Sequence, residues 1–376
     1  MRILNVNMSI DPVTGGGTAE RAVKIAQYLA RSGVAASLLT SELGVTDEMR
    51  QHLRDVDICA LKSLNNRFHV PRFGFDRIAR LVASADVVHL MNHWTLINAA
   101  VYRACRKQDK PYVFCPAGAL SYFGRSIPLK KAYNLVVGNR IVRDATRHIA
   151  IPADEAQQFL AYGIDPQTVD IIPNGIDQND FCAMDDDYFR RKYALGEDPF
   201  ILFLGRLNPI KGPDLLLDAF IDHHRDFPEY RLVFAGPDGG MRKAMEEKTN
   251  RCNLADRVRF TGYIGGDDKS CAYHAAGLLV IPSRQEAMSI VALEAGISGT
   301  PLLLTDVCGL DRIESIGGGL SVKPTAQDIG KGLKTLLVDR TALASKGRVL
   351  KDYVAAHYTW DAVIKKYISL FEDVLR

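Results

Sequence analysis

Residues 277–299 read G-L-L-V-I-P-S-R-Q-E-A-M-S-I-V-A-L-E-A-G-I-S-G, and the pattern changes twice along them. Leu278 to Ile281 is a short apolar run, the signature of a strand buried on both faces of a parallel sheet. Pro282 ends the ladder because it has no N–H to donate. From Ser289 the period lengthens: Ile290, Leu293 and Ile297 recur at i, i+3 and i+7, one face of a helix. Ser289 suits the N-cap, which leaves the first amides of that helix aimed above the sheet, where an anion binds. Two carboxylates bracket this helix start, Glu286 in the loop and Glu294 about a turn into the helix. A carboxylate repels phosphate but accepts hydrogen bonds from hydroxyls. A ligand with hydroxyls on both sides of a phosphate, as in sugar, diphosphate and ribose, suits the pair.

The segment resembles the E-x-x-x-x-x-x-x-E motif of retaining glycosyltransferases of family 4 (glycosyl transferases group 1). The resemblance implies an α/β GT-B fold, two Rossmann-like domains whose parallel sheets face a cleft. It implies that Glu286 holds hydroxyls of the donor sugar and Glu294 the ribose, with the backbone of Ala287, Met288, Ser289 and Ile290 on sugar and phosphate. Upstream, the apolar Phe200–Leu204 runs into G-R-L-N-P-I-K-G and then a helix over Pro213–His223. Arg206 and Lys211 can both reach a phosphate there, Arg by two parallel hydrogen bonds and Lys as a point charge. They match the family's diphosphate pair, and with Glu286 they are the expected catalytic residues. Val258–Thr261 followed by G-Y-I-G-G resembles the turn that packs on the base, which makes Tyr263 and Ile264 donor-binding candidates.

Toward the N-terminus, residues 2–8 form a first strand and Ala19–Ser32 the helix after it, with Ala22, Ile25, Ala26 and Leu29 inward. The D-P-V-T-G-G-G-T-A-E-R between them reads as a loop whose Gly15, Gly16 and Gly17 allow φ > 0 and close approach of a ligand. It is not a dinucleotide fingerprint, because Glu20 stands where the last glycine should be. The resemblance sets Gly16 and Gly17 against the donor phosphates and Gly15 on the acceptor side. The strand Val87–Met91 leads to His89 and His93, acceptor-side candidates and the only visible general bases for an inverting reaction. Many family members place a histidine that reaches the donor sugar where this chain has Ala117. V-D-I-I-P-N-G-I-D, residues 169–177, is a turn that resembles the family's interdomain linker. The expected division is 1–175 for the acceptor domain, 176–357 for the nucleotide-sugar domain, and a crossover helix 358–376 returning to the first.

Length and composition fit two soluble globular domains: 376 residues, 47% apolar and 24% charged. M-R-I-L-N-V-N-M reads as a strand rather than a signal peptide, and no apolar run approaches a membrane span. Seven cysteines without a C-x-x-C pair indicate neither a disulfide framework nor zinc, and point to a reducing cytoplasm. Residues 1–175 hold 21 Lys+Arg against 15 Asp+Glu, whereas 176–376 hold 26 against 29. Cations mix with aromatics in Arg67–Phe75 (then Arg77 and Arg80) and in Tyr122–Arg125 (then Lys130, Lys131, Arg140, Arg143 and Arg147). Such mixtures suit an anionic membrane surface or a lipid-linked pyrophosphate acceptor. No nucleic-acid motif is present, so nucleic acid is not expected as a partner.

The expectation is therefore a hexosyltransferase moving sugar from a UDP- or GDP-linked donor to a hydroxyl of a glycan or lipid-linked glycan, with retention. No cofactor and no metal are expected, since Arg206, Lys211 and the helix start supply positive charge for the departing diphosphate. The site is expected in the cytoplasm, peripheral on the inner face of the membrane. An inverting transferase, a GT-B epimerase or phosphorylase, and a nucleotide-sugar-binding subunit without chemistry are the alternatives, because fold does not fix function.

Overall fold

Apolar runs bounded by Gly and Pro become the strands of two parallel sheets in the computed structural model, which describes residues 1–65, 70–72, 74–122, 126–182 and 187–376. The chain divides into two compact units, Met1–Asn174 with Trp360–Arg376, and Gly175–Thr359.

The parallel sheet of the first unit is built from β1 (Arg2–Val6), β2 (Ala35–Ser41), β3 (Asp57–Leu61), β4 (Val87–Met91), β5 (Tyr112–Cys115), β6 (Arg147–Ala150) and β7 (Asp170–Ile171). They pair in parallel in the order β3-β2-β1-β4-β5-β6-β7, with Ile3 opposite both Ala36 and Val87. The closing helix Trp360–Leu375 buries Trp360, Val363, Ile364, Tyr367, Leu370 and Phe371 in this unit. A buried Arg21 fastens it: its guanidinium donates to Tyr367 Oη, to Asn174 Oδ1 at 2.9 Å and to the Ile172 carbonyl at 3.3 Å. A buried cation persists only with such partners.

The second unit repeats the plan with β8 (Phe200–Leu204), β9 (Arg231–Ala235), β10 (Val258–Gly262), β11 (Leu278–Ile281), β12 (Leu302–Thr305) and β13 (Gly319–Val322). The order is β10-β9-β8-β11-β12-β13, all parallel, with Leu202 opposite Leu279 and Ile281 opposite Leu304. The four residues of β11 are buried, as a strand covered on both faces must be. Each such side chain contributes about 1.5–3 kcal/mol of burial.

The helix after β11 departs from its expected amphipathic form. It spans Ile290–Ser298, and every residue from Ala292 to Ser298 is buried. Glycines let a neighbouring helix, Arg340–His357, press on it. A Cβ on Gly296 would lie 2.7 Å from Val354 Cγ2, and one on Gly347 would collide with the Gly299 carbonyl. The face that should meet water meets a helix instead.

One further expectation is corrected. The Gly-rich stretch is not a loop before a helix starting at Ala19; the helix runs Pro12–Arg31 and kinks at Gly16 (φ 55°, ψ −144°). One glycine takes the left-handed conformation that L side chains avoid, and the helix resumes beyond it. Arg67, Phe68, His69, Phe73, Phe123, Gly124 and Arg125 of the basic-aromatic segments lie outside the described residues.

Candidate functional site

In the second unit, strand order reverses between β8 and β11, whose onward connections leave toward opposite edges. Open parallel sheets bind ligands beyond the carboxyl ends of the strands at such a place. Two loops rise there, Gly205–Gly212 after β8 and Pro282–Ser289 after β11. They act as one piece because Gly212, at φ 66°, lets them touch: a Cβ there would collide with the Pro282 carbonyl. Arg284 sews the same seam. Its amide donates to the Ile210 carbonyl at 2.8 Å, and its guanidinium grips Asp214 at 2.9 and 2.6 Å and the Pro209 carbonyl at 2.7 Å.

The seam brings Lys211 against Glu286, where Nζ pairs with Oε2 and Ser283 Oγ lies 3.3 Å from the same oxygen. This answers the objection that a carboxylate beside a phosphate site repels the phosphate. The ammonium next to Glu286 offsets its charge and still has two further N–H bonds to give. Arg206 is half-buried, and its Cγ would stand 3.1 Å from a Cβ on Gly239, so the stem runs against the loop that follows β9. That loop is drawn close by Gly236, where a Cβ would strike the Gly205 carbonyl. Beyond β10, Tyr263 is 54% exposed while Ile264 is buried.

The start of the Ile290–Ser298 helix is held from its other side. Ser289 occupies the N-cap position without a side-chain capping bond, and its amide donates to the Cys308 carbonyl at 3.0 Å. Gly309, at φ 69°, packs so tightly that a Cβ would collide with the Ala287 carbonyl. Of the amides expected to meet a ligand, the one on Ser289 is therefore already engaged. Met288 is buried, and Ala287 and Ile290 are half-buried.

Glu294 is 2% exposed and locked in place. Its Oε1 lies 2.6 Å from Lys269 Nζ, and its Oε2 accepts the hydroxyl of the fully buried Tyr273. The Lys269 ammonium also stands 5.3 Å from the centre of the Phe181 ring. Sequence reasoning missed this clamp. Its only trace is the i, i+4 spacing of Lys269 and Tyr273 on the helix Gly266–Ala275, which puts both on one face.

In the first unit both histidine candidates lie in the core. His89 lies in the middle of β4, wholly buried, with Nδ1 3.1 Å from Asn5 Oδ1 and the rings of Tyr367 and Phe371 at 5.5 and 5.8 Å. Burial, helped by the nearby Arg21 charge, pushes its pKa down to about 3. His93 is equally buried among Trp94, Phe114, Tyr133 and Tyr162, with Nε2 2.7 Å from Asn134 Oδ1. Burial pushes it down to about 4 against the pull of that hydrogen bond. Both rings are neutral core groups with no face open to an acceptor. A run of five residues buried on both faces, β4, carries its histidine inward with the rest.

Thr18 Oγ1 donates to the Gly15 carbonyl at 2.9 Å, Gly15 packs on Ala19, and Gly17 is exposed. Ala117 sits at φ 53°, a conformation that costs an L residue about 1–2 kcal/mol. The adjacent Gly118 amide donates to the buried Glu155, which also accepts from the Ile151 amide at 2.8 Å. Burial raises the Glu155 carboxyl, and the two amides pull against that rise. Among the described residues no three His, Cys, Asp or Glu side chains are grouped as a metal ion would require, and no helix is long and apolar enough to cross a membrane.

Two family models match the chain, one per unit. Residues 15–180 match the model described as Glycosyltransferase Family 4, and residues 185–351 match Glycosyl transferases group 1. A D-inositol 3-phosphate glycosyltransferase of Geodermatophilus obscurus is 31% identical over 64% of this chain and 56% of that protein. The protein of that name from Mycobacteroides abscessus is 27% identical over 98% and 88%. The matched region spans about half the length of several such relatives. Among solved structures, sucrose-phosphate synthase from Thermosynechococcus elongatus superposes with a TM-score of 0.80 at 20% identity, covering 100% of this chain and 99% of that one. Anabaena Alr3699/HepE in complex with UDP-glucose gives 0.82 at 19% identity, covering 99% and 100%. These likenesses carry the fold, a GT-B fold with two parallel α/β sheets.

Proposed function

Because the chain belongs to glycosyltransferase family 4, we propose that it moves a hexosyl group from a nucleotide sugar to a hydroxyl of a glycan or lipid-linked glycan, with retention and without metal. The observation that carries this reading is the paired Lys211 and Glu286, set beside a buried Glu294 where the second sheet reverses its strand order. Glu286 accepts hydroxyls of the transferred sugar, and Lys211 and Arg206 meet the diphosphate. Their positive charge stabilises what builds on the leaving group as the glycosidic bond breaks. Glu294 accepts from the ribose. Retention follows from family analogy, with the leaving phosphate taking the acceptor's proton on the same face. It is further supported by the burial of His89 and His93, which removes both general bases an inverting reaction would have used. UDP is the first nucleotide to test, since the HepE protein of the same fold was solved with UDP-glucose. Unpaired cysteines agree with the cytoplasm as the working compartment. Polysaccharide or cell-envelope synthesis is the process such an acceptor implies.

Calorimetry on two variants tests the division of labour. Glu286→Ala is expected to bind UDP almost as the parent does while turnover collapses. Glu294→Ala is expected to lose affinity for UDP itself, by about 1.5–3 kcal/mol for a hydrogen bond to a charged group. If both variants bind nucleotide and turn over like the parent, the two carboxylates are ordinary structural charges and the reading fails.

A further inference from the structure

Two neighbouring stretches of the first unit, the helix Leu96–Lys107 and the helical run from Ile127 to Arg143, carry cations and no carboxylate. Arg103, Arg106 and Lys107 lie on the first, and Lys130, Lys131, Arg140 and Arg143 on the second. An open groove of about 980 Å³ runs between them, lined by Leu96, Ala99, Tyr133 and Val136 with Arg103 and Arg140. Among the described residues lining the groove the one acid is Asp144, which lies 3.7 Å from Arg106 and accepts the Tyr102 hydroxyl at 2.6 Å.

The second run is not a uniform helix. It is α over Ile127–Tyr133, π over Asn134–Gly138 and α again over Asn139–Arg143. The wide turn has a cause in Asn134, whose buried carboxamide meets His93 Nε2 at 2.7 Å and donates to the hydroxyls of Tyr122 at 2.7 Å and Tyr162 at 2.9 Å. With the polar residue anchored inside, the next two are turned out: Leu135 is 84% exposed and Val136 73%, with Leu129 at 66% a turn and a half earlier. This inverts the usual helix, which hides its aliphatic side chains and shows its amides to water. Exposed aliphatic tips on a face where several cations surround a single arginine-paired acid complement one kind of surface, anionic headgroups over hydrocarbon.

We propose that this face docks the protein on an anionic lipid surface, with Leu129, Leu135 and Val136 entering the acyl boundary and Lys131, Arg140 and Arg143 at headgroup level. The fixed π turn presents Leu135 and Val136 without further ordering, so little conformational entropy is lost on contact. A second copy of the chain is a poorer occupant, since it would set the same cations against each other. The proposal goes beyond glycosyl transfer, and its readout needs no turnover, so either reading can fail alone.

Co-sedimentation of the full chain with vesicles of phosphatidylglycerol and phosphatidylcholine, and with phosphatidylcholine alone, tests it at low and high salt. The expected result is binding to the anionic vesicles that weakens with salt. Leu135→Ser/Val136→Ser and Lys131→Glu/Arg140→Glu should each lower partitioning by about tenfold or more. All four positions are exposed, so melting temperature and UDP affinity should stay those of the parent. Absence of binding at low salt overturns the proposal, as does a serine variant that binds like the parent, which would leave charge alone as the cause. A concentration-dependent dimer lost in the serine variant, without vesicle binding, would assign the face to a second copy and overturn it equally.

Discussion

Removing a single oxygen from Tyr273 should weaken both the fold of the second unit and its hold on nucleotide. Tyr273 is fully buried and donates its hydroxyl to Glu294 Oε2, and Glu294 is 2% exposed. Tyr273→Phe keeps the ring and its packing on Phe181 (6.0 Å between centroids) and deletes the donor to a buried charge. A hydrogen bond to a charged group contributes about 1.5–3 kcal/mol, which for a unit of this size is a fall of about 3–12 °C in Tm. Lys269→Met removes the other partner at 2.6 Å while keeping much of the stem. Breaking a buried ion pair costs about 3–5 kcal/mol, reduced here because the Lys269 side chain is 21% exposed. If Glu294 receives the ribose, both variants also lose UDP affinity, because the carboxylate is no longer aimed. Thermal unfolding and calorimetry with UDP on the parent, both single variants and the double variant give the stability terms, the affinity terms and their coupling. Single variants that melt within a degree of the parent would refute the clamp. Variants that melt early but bind UDP normally would keep the clamp and refute its service to the nucleotide.

Other outcomes follow from the same geometry. His89 and His93 stay neutral in the fold, so as pH falls below about 6.5 the unfolded chain takes up protons that the folded one refuses. Stability should therefore drop toward pH 4, by on the order of 1.4 kcal/mol per pH unit for each ring. Histidine NMR checks this, and titration of both rings near 6.5 would contradict the burial argument. Gly212→Ala, forced against the Pro282 carbonyl at φ 66°, should destabilise the second unit by about 1–3 kcal/mol and lower turnover by parting Lys211 from Glu286. Unchanged melting and kinetics would mean the loops do not depend on that contact. Product NMR should show the donor's anomeric configuration, and EDTA should leave the rate unchanged; an inverted product would require a base outside the two buried histidines.

How much of this could be read beforehand depended on how local each determinant is. Strand, proline and helix start lie within residues 277–299, and Arg206 and Lys211 within one loop, so periodicity and turn chemistry place them without knowledge of the rest. The clamp on Glu294 was invisible, because nothing short of the packed helix Gly266–Ala275 brings Lys269 and Tyr273 to it. The Gly15–Gly17 stretch misled because three glycines look like a loop, whereas only Gly16 bears the unusual backbone and the helix continues around it. His89 was singled out for its chemistry rather than its surroundings. Its neighbours Val87, Val88, Leu90 and Met91 already announced a strand covered on both faces, which sets the ring in the core.

The two carboxylates that drew attention together are held in different ways, and the difference bears on donor binding. Glu294 is fixed by partners belonging to the fold, one of them an uncharged hydroxyl. Glu286 is fixed by Lys211, a cation that a diphosphate would also attract. A ligand arriving at Lys211 therefore competes for the partner of Glu286 and leaves that carboxylate with acceptor capacity for sugar hydroxyls. The bare nucleotide would draw on Lys211 without supplying those hydroxyls, and the complete donor would supply both. On this account the pair favours nucleotide sugar over nucleotide through an exchange of partners, while Glu294 recognises either one by the same preset geometry.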